Sequence, residues 1–314
     1  MICNYCKGTE HEVVAEYTRL EKNNVLKCKN CGLVFLDIKK NKKDIESFYS
    51  SEYRKIPALP VQSAQEHYDD KVTQHDSRER ISFIENHIDI LNKKVLEIGS
   101  ASGSLLNKLS EYGAREVTGI ELSKEFAQFS RNKGFKILTN TIEELNIIEE
   151  FDVVVSFHTI EHVFDPMAVF KAIYRSLKPG CCFLGEVPNQ NDWRIKIFYD
   201  KIVERFHYDP NHYYYFSPDT LKNYLKTTGF NNIRLESVER YNSLLQLRNI
   251  LCCNDDEKNI EKILKKYIFP ETEKDEVRLP PVGDNVQVEF NRIFGKAMNS
   301  ELMGNCLRWI AYTG

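Results

Sequence analysis

Three groups of residues in this chain have types and spacings that could do chemistry. The first is Cys3-Asn4-Tyr5-Cys6 with Cys28-Lys29-Asn30-Cys31, two C-x-x-C pairs separated by 21 residues, with Gly32 after the second. Each pair offers two thiolates from one turn, and two such turns supply the tetrahedral ligand set of a structural zinc ion. A redox dithiol is the competing chemistry, but the thioredoxin-like pattern that usually surrounds one is missing. The second group is Glu97-Ile98-Gly99-Ser100-Ala101-Ser102-Gly103, followed about twenty residues later by Glu121. Small residues in a turn let the backbone approach a ligand closely, and a carboxylate at that distance suits a ribose diol. The third group is His158, Glu161 and His162, with Trp193, His207, His212, Tyr213 and Tyr215 downstream. Imidazole titrates near neutral pH and is a natural proton acceptor, while tyrosine faces stack on sugar C–H groups and phenols bond to hydroxyls. His158 and His162 lie four apart around a carboxylate, but Pro166 opens the helix after them, so helical spacing for a second metal site does not follow.

These groups need elements to hold them, and the pattern from residue 94 supplies them. Strands are expected at 94–99, 115–121, 135–138, 151–157 and 181–187, with helices at 103–112, 123–133 and 166–178 between them. Strands alternating with helices imply a parallel sheet with right-handed crossovers, an α/β Rossmann-like fold with helices on both faces. Ligands in such sheets sit at the carboxyl ends of the strands, where Glu97, Gly99, Glu121, Thr141 and His158 all fall. Leu122 and Ile142 are placed to sandwich a flat heteroaromatic ring. The turn reads G-x-A-x-G and lacks the full G-x-G-x-x-G of dinucleotide sites, and Glu97 would repel a pyrophosphate while suiting a cationic amine or sulfonium.

Residues 1–38 read as the zinc ribbon, with strands near 12–17, 23–28 and 33–36. So small a unit has little core of its own and depends on the metal. Residues 39–92 read as a helical linker and N-terminal cap, with Lys39–Lys43 as a solvated connector. The core spans 93–240, with an aromatic insertion at 188–216 expected to bind the acceptor. A helical insertion over 241–304 includes a surface helix at 254–276, and 305–314 reads as the final edge strand. The adjacent cysteines at 181–182 and 252–253 read as packing residues.

The Glu97-to-Gly103 turn with Glu121 resembles the class I S-adenosylmethionine-dependent methyltransferases. That resemblance implies a seven-stranded, mostly parallel sheet and a methyl-transfer activity. It also implies that Glu97, Gly99, Ser100, Ala101 and Gly103 hold the amino-acid end of S-adenosyl-L-methionine, that Glu121 takes the ribose hydroxyls, and that Leu122, Thr141, Ile142 and His158 complete the cofactor site. The segment His158-Thr159-Ile160-Glu161-His162-Val163 is similar to the strand-to-helix segment of small-molecule members, and His212 to Ser217 to the H-x-x-x-F-S pattern of sugar-directed ones. With the ribbon, the chain resembles bacterial methyltransferases of sugar or secondary-metabolite pathways. The expected reaction is O-methylation of a sugar or similar small polar acceptor, with His158 or His212 as base and Glu161 orienting. Trp193, His207, His212, Tyr213 and Tyr215 are the expected acceptor wall. Sugar C-methylation, RNA methylation through the ribbon, and a non-catalytic cofactor-binding scaffold are the alternatives.

Net charge −3 and a pI near 6.3 give no global reason to bind nucleic acid. No stretch approaches the roughly twenty apolar residues of a membrane span, so a cytoplasmic location is expected. Hydrophobic residues at 42% suffice for a substantial core. Oligomeric state is not legible.

Overall fold

A computed structural model describes residues 1–18, 22–38, 40–52, 63–197, 207–240 and 284–314. Cys252, Cys253 and the helix expected at 254–276 lie outside the described residues. The N-terminal strands are β1 (His11–Tyr17), β2 (Lys22–Cys28) and β3 (Val34–Leu36), an antiparallel set close to the expected bounds. Three helices follow: α1 (Lys42–Ser51), α2 (Ala64–Asp69) and α3 (Lys71–Glu85). Lys39–Lys43 is not wholly a connector. Asn41 caps α1 in a reciprocal capping box with Asp44, which brings Lys42 and Lys43 into its first turn.

The α/β core runs β4 (Lys94–Ile98), α4 (Ser104–Glu111), β5 (Glu116–Ile120), α5 (Lys124–Asn132), β6 (Lys136–Leu138), β7 (Phe151–Phe157), α6 (Pro166–Ser176) and β8 (Leu177–Pro188). It continues through α7 (Trp193–Ile197), β9 (Tyr214–Tyr215), α8 (Pro218–Thr227), β10 (Asn231–Val238), α9 (Asp284–Ser300) and β11 (Cys306–Tyr312). Caps legible in the sequence set two helix starts. Asp165 caps α6 ahead of Pro166, and Ser217 caps α8 ahead of Pro218.

The large sheet has seven strands in the order β10-β11-β8-β7-β4-β5-β6. Its β8-β7-β4-β5-β6 part is parallel, and β11 pairs antiparallel with both β8 and β10. The last strand is therefore not at the edge as expected. Buried Trp309 and Ile310 fit its interior place, and the more exposed β10 forms the edge. Side chains alternate between two cores. Val153, Val155 and Phe157 of β7 join Ile81 and Ile84 of α3 and Leu105 and Leu109 of α4 on one face. Val154 packs on the other with Phe170 of α6 and Leu221 and Tyr224 of α8. This second core also takes in Cys3, Val25, Cys28, Leu33 and Phe35, so the N-terminal unit shares its core with the α/β domain. The two are joined again in a four-stranded sheet, β1-β2-β3-β9, whose last strand comes from the 188–216 insertion. Among the described residues no helix is long and apolar enough to cross a membrane.

Candidate functional site

The four cysteine sulfurs converge within 4.8 Å of one another, with Cys3 and Cys31, and Cys6 and Cys28, each 3.5 Å apart. Four thiols this close fit a tetrahedral zinc ion, whose Zn–S bonds of about 2.3 Å place sulfurs at comparable separations. Burial opposes a thiolate at Cys28, but backbone N–H groups of Cys31 and Asn30 outweigh it and hold that thiol below its usual range.

At the carboxyl end of β4 the chain turns through Gly99, Ala101 and Gly103 at φ of 78°, 46° and 77°. Gly99 and Ser100 donate N–H bonds to the Ile120 carbonyl at 2.8 and 3.0 Å, tying the turn to β5. The Gly99 position does not owe its smallness to a ligand alone. A Cβ there would lie 2.2 Å from Thr159 Oγ1, which itself donates to the Ile98 carbonyl at 3.1 Å. Ala101 is left-handed without being glycine, a conformation that costs roughly 1–2 kcal/mol. Its N–H donates to Glu121 Oε2 at 2.9 Å, while Ser123 N–H holds Oε1 at 2.7 Å, so the carboxylate is fixed at the rim.

Beside this turn lies a cavity of about 180 Å³. Of the expected cofactor residues Gly99, Glu121, Leu122, Thr141, Ile142 and His158 line it. Ser100, Ala101 and Gly103 shape the turn, and Glu97 is buried beneath at 3% exposure. Glu97 Oε2 has no hydrogen-bond partner among the described residues. Burial, with help from Glu121 and against Arg80, pushes its carboxyl up to about 8. A buried carboxyl awaiting a partner fits the cationic amino-acid end of S-adenosylmethionine. The opposite wall escaped the sequence reading: Lys42, Ile45, Glu46 and Tyr49 of α1 line the cavity, and Lys42 pairs with Glu143 and Glu144 at 3.5 and 3.6 Å. The Asn41–Asp44 capping signal with apolar positions at 45 and 49 was the available clue.

His158, also left-handed at φ 52°, is held from two sides. Nε2 lies 2.7 Å from Glu186 Oε1, and Nδ1 lies 3.3 Å from Glu161 Oε1. Burial opposes its charge, but contacts with Cys306, Glu161 and Glu186 prevail and raise its pKa well above the ordinary value. Glu186 has no exposure and also takes Arg240 at 2.9 Å and Arg308 at 2.5 Å, while Arg240 reaches Asp76 of α3. Two arginines beside Glu186 leave no call for a cation at the His158–Glu186–Cys306 group.

Of the other histidines of this region His162 lines the cavity, and His212 packs on it. His162 Nδ1 lies 2.8 Å from the Asn211 carbonyl, which fixes its proton there. Tyr49 O–H is 2.9 Å from the same nitrogen and donates to the same carbonyl at 3.2 Å. The His162 and His212 rings are 4.8 Å apart, and His212 lies 6.1 Å from the ring of Tyr215. Glu161, His162 and His212 bring one carboxylate and two imidazoles within 4.8 Å, and Glu161 is fully buried. His207 lies 3.3 Å from Gln190 and packs on Tyr208 and Tyr215. Tyr213 and Tyr215 are buried, and Tyr215 O–H donates to the Asp209 carbonyl, so the tyrosines stiffen the wall. Trp193 is set apart: buried at 2% exposure, it packs on Phe294 and donates to Glu239 at 3.1 Å.

Residues 65–235 match a family described as the methyltransferase domain. The ubiquinone biosynthesis O-methyltransferase of Idiomarina loihiensis is 36% identical over 129 residues, 38% of this chain and 53% of that protein. Its namesake from Pseudomonas entomophila is 33% identical over 120 residues, 36% of this chain and 51% of that protein. The chain spans about half the length of the curated relatives it matches. Among solved structures, a SAM-dependent methyltransferase from Archaeoglobus fulgidus is 18% identical with a TM-score of 0.49, covering 79% of this chain and 97% of that one.

Proposed function

The chain belongs to the class I S-adenosylmethionine-dependent methyltransferases, and from that premise we propose that it methylates a hydroxyl oxygen of a small polar acceptor, a sugar or a similar polyol, with His212 as the base. The observation that carries this reading is the imidazole pair His162–His212, 4.8 Å ring to ring, of which His162 lines the same cavity as Glu121. S-adenosylmethionine, when bound, supplies a methyl group already activated as a sulfonium. The chain's own task is then to align the acceptor and take up its proton. In this reading Glu97 receives the cofactor's ammonium, Glu121 its ribose hydroxyls, and Leu122 and Ile142 the faces of its adenine. His158, held between Glu161 and Glu186, supports the cofactor side and is not the base. His212 accepts the acceptor's proton, and His162, with Nδ1 committed to Asn211, presents Nε2 beside it. His207 and the Tyr208–Tyr215 surface offer the stacking and hydrogen bonding a sugar needs. The four cysteines hold a structural zinc ion, which takes no part in the transfer. That the matched relatives are O-methyltransferases by name favours oxygen as the accepting atom.

The test is to incubate the zinc-loaded chain with methyl-labelled S-adenosylmethionine and separate nucleotide-sugar, lipid and RNA fractions. Label is expected in the sugar fraction as an alkali-stable methyl ether. Label in RNA, on carbon, or in no fraction would overturn the proposal.

A further inference from the structure

The turn of the first cysteine pair contains a polar residue that makes no contact a ribbon needs for itself. Asn4 Nδ2 donates to Asp165 Oδ1 at 2.9 Å, and its Oδ1 accepts from Tyr224 O–H at 2.8 Å and from the Met167 N–H at 3.4 Å. Asp165 is the cap of α6, its Oδ1 also accepting the Ala168 N–H at 3.1 Å, and it ends the segment that begins at His158. One side chain of the cysteine turn thus grips α6 and α8 together. Beside it, Tyr5 O–H meets Thr227 Oγ1 at 3.0 Å.

A second link runs through the backbone. β3 pairs with β9, Phe35 with Tyr214 and Val34 with Tyr215, and the Leu36 N–H donates to the Tyr213 carbonyl at 3.0 Å. The Tyr213 N–H in turn donates to the Glu161 carbonyl at 2.8 Å, and Tyr214 O–H donates to the Phe164 carbonyl at 2.9 Å. The strand next to the cysteine cluster therefore holds residues 213–215, and these hold 161–164. Both paths end in the same segment, the one that carries His162. Neither path includes a residue of the Gly99–Gly103 turn, which is tied to Ile120 and Glu121 by hydrogen bonds and meets the segment at Thr159, packed on Gly99.

We infer that Asn4 is a positioning residue for the histidine wall, so that the order of that wall, and not of the cofactor turn, depends on the cysteine cluster. This rests on the reading of that wall as the acceptor side, but the contacts stand without it. The residues fit a zinc ion as described above. Asn4 then acts by transmitting the fixed geometry of the cysteine turn to Asp165. An independently folded ribbon would have its own core and a solvated turn; this one has a shared core and a turn bonded to two helices of the α/β domain.

The test uses hydrogen–deuterium exchange on the full zinc-loaded chain, with zinc content and S-adenosylhomocysteine affinity measured alongside. Asn4→Asp sets two carboxylates against each other at the Asp165 contact. It is expected to keep one zinc per chain, to speed exchange in 160–169 and 213–217 about tenfold, and to leave S-adenosylhomocysteine affinity within about twofold. Adding Asp165→Asn reverses the donor and acceptor and should restore protection, because Asn caps a helix as well as Asp. Unchanged exchange in those segments, failure of the paired substitution to restore it, or loss of S-adenosylhomocysteine affinity along with it overturns the inference. Should Asn4→Asp lose zinc, Tyr224→Phe gives the reading: about threefold faster exchange in 160–169 supports it and none overturns it. Once an acceptor is known, Asn4→Asp should raise its KM more than it lowers kcat. Exchange needs no acceptor, so a failed labelling experiment and a failed coupling are told apart.

Discussion

The Gly99–Gly103 turn and the histidine wall meet at one cavity, lined by Gly99 and Glu121 on the one hand and by His162 on the other, yet they are built in opposite ways. The turn comes from one strand–turn–helix unit and the strand after it, with Glu97, Gly99, Ala101 and Glu121 inside a 25-residue window joined by its own backbone bonds, to which His67, Ser130 and Thr159 add side-chain contacts. The wall is collected from α1, the 158–165 segment and the 207–216 segment, and is braced by the cysteine cluster. The difference teaches that, on the function proposed above, binding the methyl donor is a local property of this chain, while presenting an acceptor to it is a property of the whole fold. It also explains the unequal electrostatics. Among the described residues Glu97 Oε2 is buried without a hydrogen-bond partner, whereas Glu186 is paired with Arg240, Arg308 and His158.

If the two sides are separable, substitutions should divide by side. The largest effect is expected on the wall: His212→Ala should cut turnover about 100- to 1,000-fold, the range for loss of a general base, with S-adenosylmethionine Kd within about twofold. Steady-state kinetics and calorimetric titration decide this, and unchanged turnover at saturating acceptor removes His212 as the base. On the turn, Glu121→Ala should weaken S-adenosylmethionine about 10- to 100-fold, since charge-assisted hydrogen bonds contribute about 1.5–3 kcal/mol each. Equal loss of affinity in both variants would break the division.

Glu97 gives a pH signature confined to the turn. Its carboxyl sits at about 8 in the folded chain against an ordinary 4.5, so between these values the folded state holds a proton that the unfolded state has lost. Its contribution to stability is full below pH 4.5 and is lost as pH rises through 8. Melting temperatures should fall across that window, and Glu97→Gln should flatten the fall. Binding a cation there at pH 7 should release close to one proton, read by titration in buffers of different ionisation enthalpy. The smallest effect is Ala101→Gly, which relieves the left-handed alanine at the entropic cost of glycine. A net gain of about 0.5 kcal/mol, a rise of roughly 1–2 °C in Tm, is expected, and a loss would mean that the methyl packs usefully.

Much of this could be read from the chain alone. The strands of the N-terminal unit and of the core lie within a few residues of their expected bounds, because alternation and capping are local signals: β7 coincides with 151–157, and Ser217-Pro218 marks the start of α8. The cysteine cluster closes as its spacing implied. Other expectations met long-range packing. Trp193 reads as an acceptor contact by type but is buried against Phe294, a hundred residues away in the chain. His158 reads as a candidate base by position, and only the fold brings Glu186 and Arg240 beside it. Tyr49 and Lys42 carried no motif, and only the docking of α1 brings them to the cavity. The final strand reads as an edge because it is last, yet β10 covers it.

By itself the sequence determined the local geometry: the strand-to-helix turn with its two carboxylates, the four thiols, and the alternation that makes a parallel sheet. These depend on backbone propensity and spacing over a few tens of residues, which any stretch of chain carries with it. Only the tertiary structure decided which histidine is held between buried carboxylates, which aromatic residues reach the cavity, and that the cysteine unit pairs with the strand beside the wall. Those outcomes depend on burial and on partners far along the chain, and desolvation and charge pairing do not exist until the fold brings such groups together.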